Sequence, residues 1–540
     1  MNGVGAIVMA AGLGKRMRSK RAKVLHAVAG RPMVLYAVEL AKQFADEGIA
    51  VVVGHQADQV KAVLEAHCAS QADPPVRRSV HREKGLTASI QNPASKTPRI
   101  LIAEQKEQLG TGHAVMQARG AFLRTRGAAA KTYLILNGDT PLLTERTVRA
   151  LLQAHEADKA TVTILTALLN DPSGYGRVVR TGDMREVMKI VEDRDANEDE
   201  SALQEINVGT YVIDGSFLFE ALDALVPQNA QKEYYLTDLV KLAVERGLKV
   251  SALIAKSAEE GLGINSRSQL ATAERAMRLR ICERWMEEGV TIWDPAATRI
   301  DADVRIGQDT VVHPAVALEG RTTIGQDCEV RSHCRITDST LGARVVVQDC
   351  CVVRDARLED DVVVGPFAHL RPGAVVRRSA KVGNFVEIKK ADLGEGSKAN
   401  HLSYLGDATI GKGVNIGAGT ITCNYDGFHK HETVIEDDVF IGSDTQLIAP
   451  VRIGRGAVVA AGSSVTQEVP ADALAIARSL QVNRPGWAAK RRALPDVDGR
   501  RGARSTGREA EPTQHPTINP LAARPSPRAS KNTRTRKGKR

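Results

Sequence analysis

Two hydrophobic patterns divide the chain. In the first, short continuous apolar runs alternate with stretches of helical period. Residues 4–9, 49–53 and 133–136 are such runs, and helical patterning begins at Pro32. Buried strands alternating with helices predict a mostly parallel α/β sheet. Residues 266–288 predict one long helix that joins this half to the next. From about Ile306 the period becomes six. An aliphatic residue, often followed by Gly, recurs at Ile324, Leu341, Val364, Val382, Leu393, Ile410, Ile416, Ile441 and Ile453, with Val330, Ile336, Val347, Leu358, Leu370, Val376, Ile388, Leu447, Val459 and Val465 in register between them.

A hexapeptide repeat of this coherence predicts a left-handed parallel β-helix. Each hexapeptide is one short strand and a corner, and three make a triangular coil. The aliphatic side chain points inward and stacks on its equivalent one coil on. Steps of five residues at 336–341, 353–358, 388–393 and 405–410 shorten single coil sides. The register breaks once, between Ile421 and Ile435, so residues 422–431 must leave the solenoid as a loop.

Composition refines this picture. A chain of 540 residues holds several domains. The expected division is 1–267 for the α/β domain, 268–288 for a helical linker, 289–489 for the β-helix and 490–540 for a tail. Aromatics are only 4%, as a small-residue solenoid requires. The net charge of +10 points to nucleic acid until it is localised. Residues 490–540 hold 15 Lys and Arg against 4 Asp and Glu, leaving 59 basic and 60 acidic residues elsewhere. The basicity belongs to one tail, poor in large apolar residues and expected to be disordered. No specific nucleic-acid partner is expected. No run of about 18 apolar residues predicts a membrane span. Residues 1–11 read as a buried strand rather than a signal peptide. Seven cysteines without a CxxC fit a reducing compartment, and the expected location is cytoplasmic.

The chemistry of the first half lies in three segments. Ala11-Gly-Leu-Gly-Lys-Arg16 follows the first strand, where Gly12 and Gly14 allow close approach of an anion. Taken alone it fits a structural turn as well as a phosphate loop, and Lys23 alone fits a solvated lysine. Residues 105–112 form a second glycine turn with amide and hydroxyl groups. Asn137-Gly-Asp139 ends an apolar strand with a carboxylate, where open α/β sheets bind ligands. An Asp beside two glycine loops suits Mg²⁺.

In the second half, polar residues interrupt positions where the repeat needs bland ones. They are Arg371, Glu387, Lys389, His401, Tyr404, Asn415, Asn424 and Tyr425. Glu387 precedes His401 by 14 residues and Lys389 precedes Tyr404 by 15, a little under one coil, so both pairs are expected to meet.

Met9-Ala-Ala-Gly-Leu-Gly-Lys-Arg-Met17, Lys23, Gln-Leu-Gly-Thr-Gly112, Gly-Asp139, Gly174-Tyr-Gly-Arg177 and the hexapeptide half together resemble one family. It is the bacterial bifunctional N-acetylglucosamine-1-phosphate uridyltransferase/glucosamine-1-phosphate N-acetyltransferases, matched in order from about residue 5 to 487. The resemblance implies synthesis of UDP-N-acetylglucosamine by a homotrimer with Mg²⁺ and acetyl-CoA. Met9, Ala10, Ala11, Gly12, Gln105, Gly110 and Thr111 would hold the uridine of UTP. Arg16 and Lys23 would neutralise its phosphates, and Asp139 and Asn265 would hold Mg²⁺. Asn137, Gly138, Asp139, Gly176, Glu192 and Asn207 would contact the sugar nucleotide. His401 would be the general base for acetyl transfer, with Glu387 beside it. Arg371, Lys389, Tyr404 and Asn415 would bind the sugar phosphate. Asn424 and Tyr425 would reach a neighbouring subunit's site, and Ala418, Ser443, Ala461 and Arg478 would line the acetyl-CoA cleft. The sequence departs from the family at Ala22, usually Pro, at Lys15, usually Thr, and in an insertion over 77–99.

Overall fold

The computed structural model describes residues 3–72, 98–126, 130–181 and 186–493. Most of the insertion expected over 77–99, and the tail beyond 493, lie outside these residues. The chain divides into two compact units, Met1–Arg478 and Ser479–Arg540. In the second, a helix spans Trp487–Ala493. The first four residues of the expected tail therefore belong to a helix, because Ala, Lys and Arg are good helix formers.

The first sheet has nine strands, seven of them in the order Val250–Ile254, Val162–Leu168, Glu205–Asp214, Thr132–Asn137, Val4–Ala10, Ile49–Val53 and Ile100–Glu104. Along this path all pairings are parallel except the two made by Glu205–Asp214. The Val4–Ala10 strand lies between two parallel neighbours and is covered by helices, so its run is continuously apolar rather than alternating. Met9 stands beside both Asn137 and Val52. The loops after Ala10, Asn137 and Glu104 thus leave from one edge of the sheet, which is where the glycine turns converge. A hairpin, Arg177–Arg180 with Val187–Val191, extends from the Glu205–Asp214 strand over that edge.

The repeat half is a parallel β-helix with an eleven-stranded and a seventeen-stranded sheet. Its interior is the hexapeptide aliphatic column: Ile324, Val330, Ile336, Leu341, Val347 and their successors are all buried. A full coil moves the chain 18 residues, as from Ile306 to Ile324, and a shortened one 17, as from Glu387 to Tyr404. The strand Ile421–Cys423 stays in the sheet against Gln446–Ile448, so the excursion begins at Asn424, two residues later than the sequence pattern suggested.

The joining helix spans Arg267–Glu287. Ser266 caps it, with Gln269 completing a reciprocal capping box. Ile281, Cys282 and Trp285 enter the β-helix core, while Ala273 packs with Val28, Met33, Leu142 and Ile264 of the α/β half. The helix is therefore a packed joint rather than a free linker.

Candidate active sites

The first site forms at the sheet edge. Two cavities meet there, of about 320 and about 670 Å³, and both are lined by Gly12, Leu13 and Lys23. The smaller also takes in Met9, Ala11, Gln105, Gly110, Thr111, Asn137 and Asp139, and the larger Arg16, Glu192 and Asn265. Gly14 sits at φ 61°, the left-handed conformation that turns the chain into the short helical turn Lys15–Met17. The opposite turn is built more locally. Gln105 is buried and donates to the Gly110 carbonyl at 3.0 Å, which closes the glycine loop on itself.

Lys23 carries the electrostatics of this site. Its ammonium bonds Asp139 Oδ2, and it donates to Asn265 Oδ1 at 3.0 Å. Asp139 comes from the end of a sheet strand and Asn265 from the turn before the joining helix. The backbone N–H of Ile264 donates to the Asp139 carbonyl at 3.0 Å and holds these two segments together.

Gly176, Glu192 and Asn207 also meet. The Asn207 N–H donates to the Gly176 carbonyl at 2.8 Å. Glu192 accepts from the Thr237 hydroxyl at 3.1 Å, and burial raises its carboxyl above the usual range. A Cβ on Gly176 would meet Ile190 at 3.1 Å, so this position leaves little room for a side chain. The Asn207 side chain is held by Tyr211, to whose hydroxyl it donates at 2.7 Å.

The second site lies on one edge of the β-helix. The register stacks His401 on Asn384, Lys398 on Asn415, Asn415 on Phe440 and Phe440 on Val458. Carried three residues along each strand, this column runs Asn384, His401, Ala418, Ser443, Ala461. Arg478 closes its far end by donating to the Ala461 carbonyl at 2.6 Å. Around the corner at Leu402 lie Tyr404, stacked on Glu387, and Lys389, stacked one coil above Arg371.

This corrects the expected pairing. In a 17-residue coil the partner of His401 is Asn384, whose Oδ1 lies 2.7 Å from His401 Nδ1. Glu387 instead accepts from Arg371 at 2.6 Å. The Lys430 ammonium, and then Arg371, hold the Lys389 amine below its ordinary value. Three cations against two carboxylates, Glu387 and Asp407, leave a positive balance that suits a phosphate.

The loop that begins at Asn424 has a buried base and an exposed tip. Asn424 is buried within this chain and donates to Asp407 Oδ2 of the preceding coil, at the base of the loop. Tyr425 and Phe428 project, at 61% and 87% exposure. Asp426 locks the loop, accepting from the N–H groups of Phe428 and His429 at 2.7 and 2.6 Å and pairing with His431.

Residues 6–197 match the MobA-like NTP transferase domain, and 432–467 the bacterial transferase hexapeptide with six repeats. The bifunctional protein GlmU of Trichlorobacter lovleyi is 47% identical over 487 residues, 90% of this chain and 98% of that protein. That of Shouchella clausii is 45% identical over 490 residues, 91% of this chain and 100% of that protein. The chain belongs to the bifunctional GlmU family. It is a uridyltransferase and an acetyltransferase in one polypeptide, and it makes UDP-N-acetylglucosamine. The two GlmU activities map onto the two halves that the hydrophobic patterns separate.

Several residues lining these cavities carry no local sequence signal. Glu233 reaches the smaller cavity because Tyr234 N–H donates to the Leu109 carbonyl at 2.8 Å. Asp193, Arg194 and Gln231 line the larger one. Asn384 had a signal, one shortened coil before His401. Burial raises the Cys423 thiol above its usual range, away from a nucleophile's thiolate. Among the described residues no group of three His, Cys, Asp or Glu could hold a metal, and no helix is long and apolar enough to cross a membrane.

Proposed function

We propose that the edge of the α/β sheet is the uridylyl site and the Asn384-to-Ala461 column the acetyl site. The expected divisions after residues 267, 288 and 489 then separate a uridyltransferase domain, a joint, an acetyltransferase domain and a tail. At the sheet edge, Met9 to Gly12 and the Gln105–Thr111 turn cradle the uracil and ribose. Lys23 and Arg16 neutralise the triphosphate, and Gly176, Glu192 and Asn207 orient N-acetylglucosamine-1-phosphate. The sugar phosphate oxygen attacks the α-phosphorus of UTP, the bond to the β-phosphate breaks, and pyrophosphate leaves. Such a transfer needs positioning and cations rather than a protein nucleophile. The Asp139 and Asn265 oxygens already converge on one cation, the Lys23 ammonium, and hard oxygen donors of this kind fit Mg²⁺. Bound there, Mg²⁺ supplies further neutralisation of phosphate charge.

The observation that carries the acetyl assignment is the Asn384–His401 hydrogen bond. Asn384 Oδ1 accepts, so His401 Nδ1 carries the hydrogen and Nε2 is free to take a proton. The amine of glucosamine-1-phosphate attacks the acetyl carbonyl carbon, His401 Nε2 takes the amine proton, and the carbon–sulfur bond breaks. The proton passes to the leaving thiolate of coenzyme A. Arg371, Lys389 and Tyr404 hold the sugar phosphate around the corner, with Asn415 on the His401 side. Ala418, Ser443, Ala461 and Arg478 supply the groove for the coenzyme. Glu387 acts through Arg371 rather than through His401. The projecting Tyr425 favours a homotrimer in which each loop completes a neighbour's site, and the protein works in the cytoplasm. The test is thiol release from acetyl-CoA with glucosamine-1-phosphate as acceptor. No release would leave the β-helix as an assembly module.

A further inference from the structure

Three segments meet at the uridylyl site: the Lys23 turn, the strand end at Asp139 and the turn at Asn265. Asp139 and Asn265 are tied through the Ile264 N–H. The Lys23 turn is tied to both through its ammonium. A divalent cation that takes those two oxygens displaces the ammonium, so this tie is lost when it is most needed. A second tie does not touch them. His26 closes the Lys23–Leu25 turn, donating its N–H to the Lys23 carbonyl at 3.2 Å. Its Nδ1 accepts from Arg267 Nη1 at 3.2 Å. Arg267 opens the joining helix two residues after Asn265, and the N–H groups of Asn265 and Ser266 both donate to Gln269, at 2.8 and 3.0 Å.

We propose that His26 and Arg267 are a positioning pair that holds the Lys23 and Asn265 turns at a fixed separation in the cation-loaded uridylyl site. The proposal rests on the assignment of Asp139 and Asn265 above. His26 is buried and lines neither cavity, so it acts through the turns it joins. Burial, with the Arg267 and Arg21 charges, holds its pKa below the ordinary value, so the ring is neutral. With Nδ1 accepting, the hydrogen sits on Nε2, a buried atom that meets no acceptor. A donor left this way costs stability, and the Arg267 bond is what the ring provides in return.

Mn²⁺ binding to the full chain, read by electron paramagnetic resonance with UDP-N-acetylglucosamine present, tests this directly. His26→Ala should weaken Mn²⁺ by about 10–100-fold, the usual cost of losing a group that orients a ligand. The Mg²⁺ concentration for half-maximal uridylyl transfer should rise in step, while acetyl transfer is unchanged. His26→Gln, which can still accept from Arg267, should stay within about 3-fold of the parent. Arg267 is exposed, so Arg267→Ala carries the test if His26→Ala folds poorly. It should match His26→Ala, and the double variant should be no weaker than either. Asp139→Asn must lose Mn²⁺ in the same assay; if it does not, the metal assignment falls and the proposal with it. If Asp139→Asn loses Mn²⁺ but His26→Ala and Arg267→Ala do not, or if their losses add, the positioning pair alone is overturned.

Discussion

One carboxamide sets the tautomer of His401, the residue proposed as the general base for acetyl transfer. His401→Ala should lower acetyl transfer by about 10²–10⁴-fold, the usual size of a general-base contribution. Uridylyl transfer by the same protein should survive, and equal loss of both would mean misfolding. Asn384→Leu should lower kcat for acetyl transfer by a smaller factor, about 10-fold, with KM for both substrates unchanged. Asp139→Asn should act in the other half. Uridylyl transfer should fall and respond to added Mg²⁺, while thiol release from acetyl-CoA continues. Assaying both activities on one preparation makes each site the internal control for the other.

Single elements are anchored by groups that titrate. The helix Glu145–Asp158 is fastened to the sheet by His155, whose Nδ1 lies 2.9 Å from Thr163 Oγ1 and whose Nε2 lies 3.3 Å from Asp214 Oδ1. Burial lowers the His155 pKa, outweighing the Asp214 carboxylate. His26 is lowered in the same way. Below pH of about 6.5 these two histidines bind protons in the unfolded chain that the folded chain refuses, so their contribution to stability falls with acid and is flat above that pH. The urea midpoint should drop between pH 7.5 and 5.5. His155→Gln should be less stable at pH 7.5 but lose less on acidification, and an unchanged pH slope would show that His155 is not the titrating anchor.

At the scale of the whole molecule, the column proposed as the acetyl site stands on one edge of the β-helix, and Tyr425 and Phe428 project from the loop after Ile421–Cys423. A solenoid whose site is an edge needs a second surface to enclose the substrate, and closed cyclic symmetry supplies it. Sedimentation of the full chain, and of a chain ending at Ala493, should both give three subunits. The shorter chain should keep both activities. A monomer with full acetyl transfer would refute the shared site, and loss of either activity on truncation would give the basic tail a function.

Period alone decided much of this protein. A six-residue register determines a β-helix because each inward aliphatic can be buried only on its equivalent in the next coil. Strand-ending motifs such as Asn137-Gly-Asp139 determine where an α/β sheet binds ligands. What the period left undecided was which side chains pair across neighbouring coils, although the five-residue step 388–393 marks this coil as short. In that 17-residue coil the partner of His401 is Asn384, while Glu387, only 14 residues before it, stacks on Tyr404, because stacking follows hydrogen-bond register. Nor could the sequence place Glu233, Gln231 or Arg267, which come from far along the chain and reach the site only through backbone pairing and helix docking. Local chemistry is written in local spacing, whereas the groups that orient it are brought by packing, and only the tertiary structure contains that.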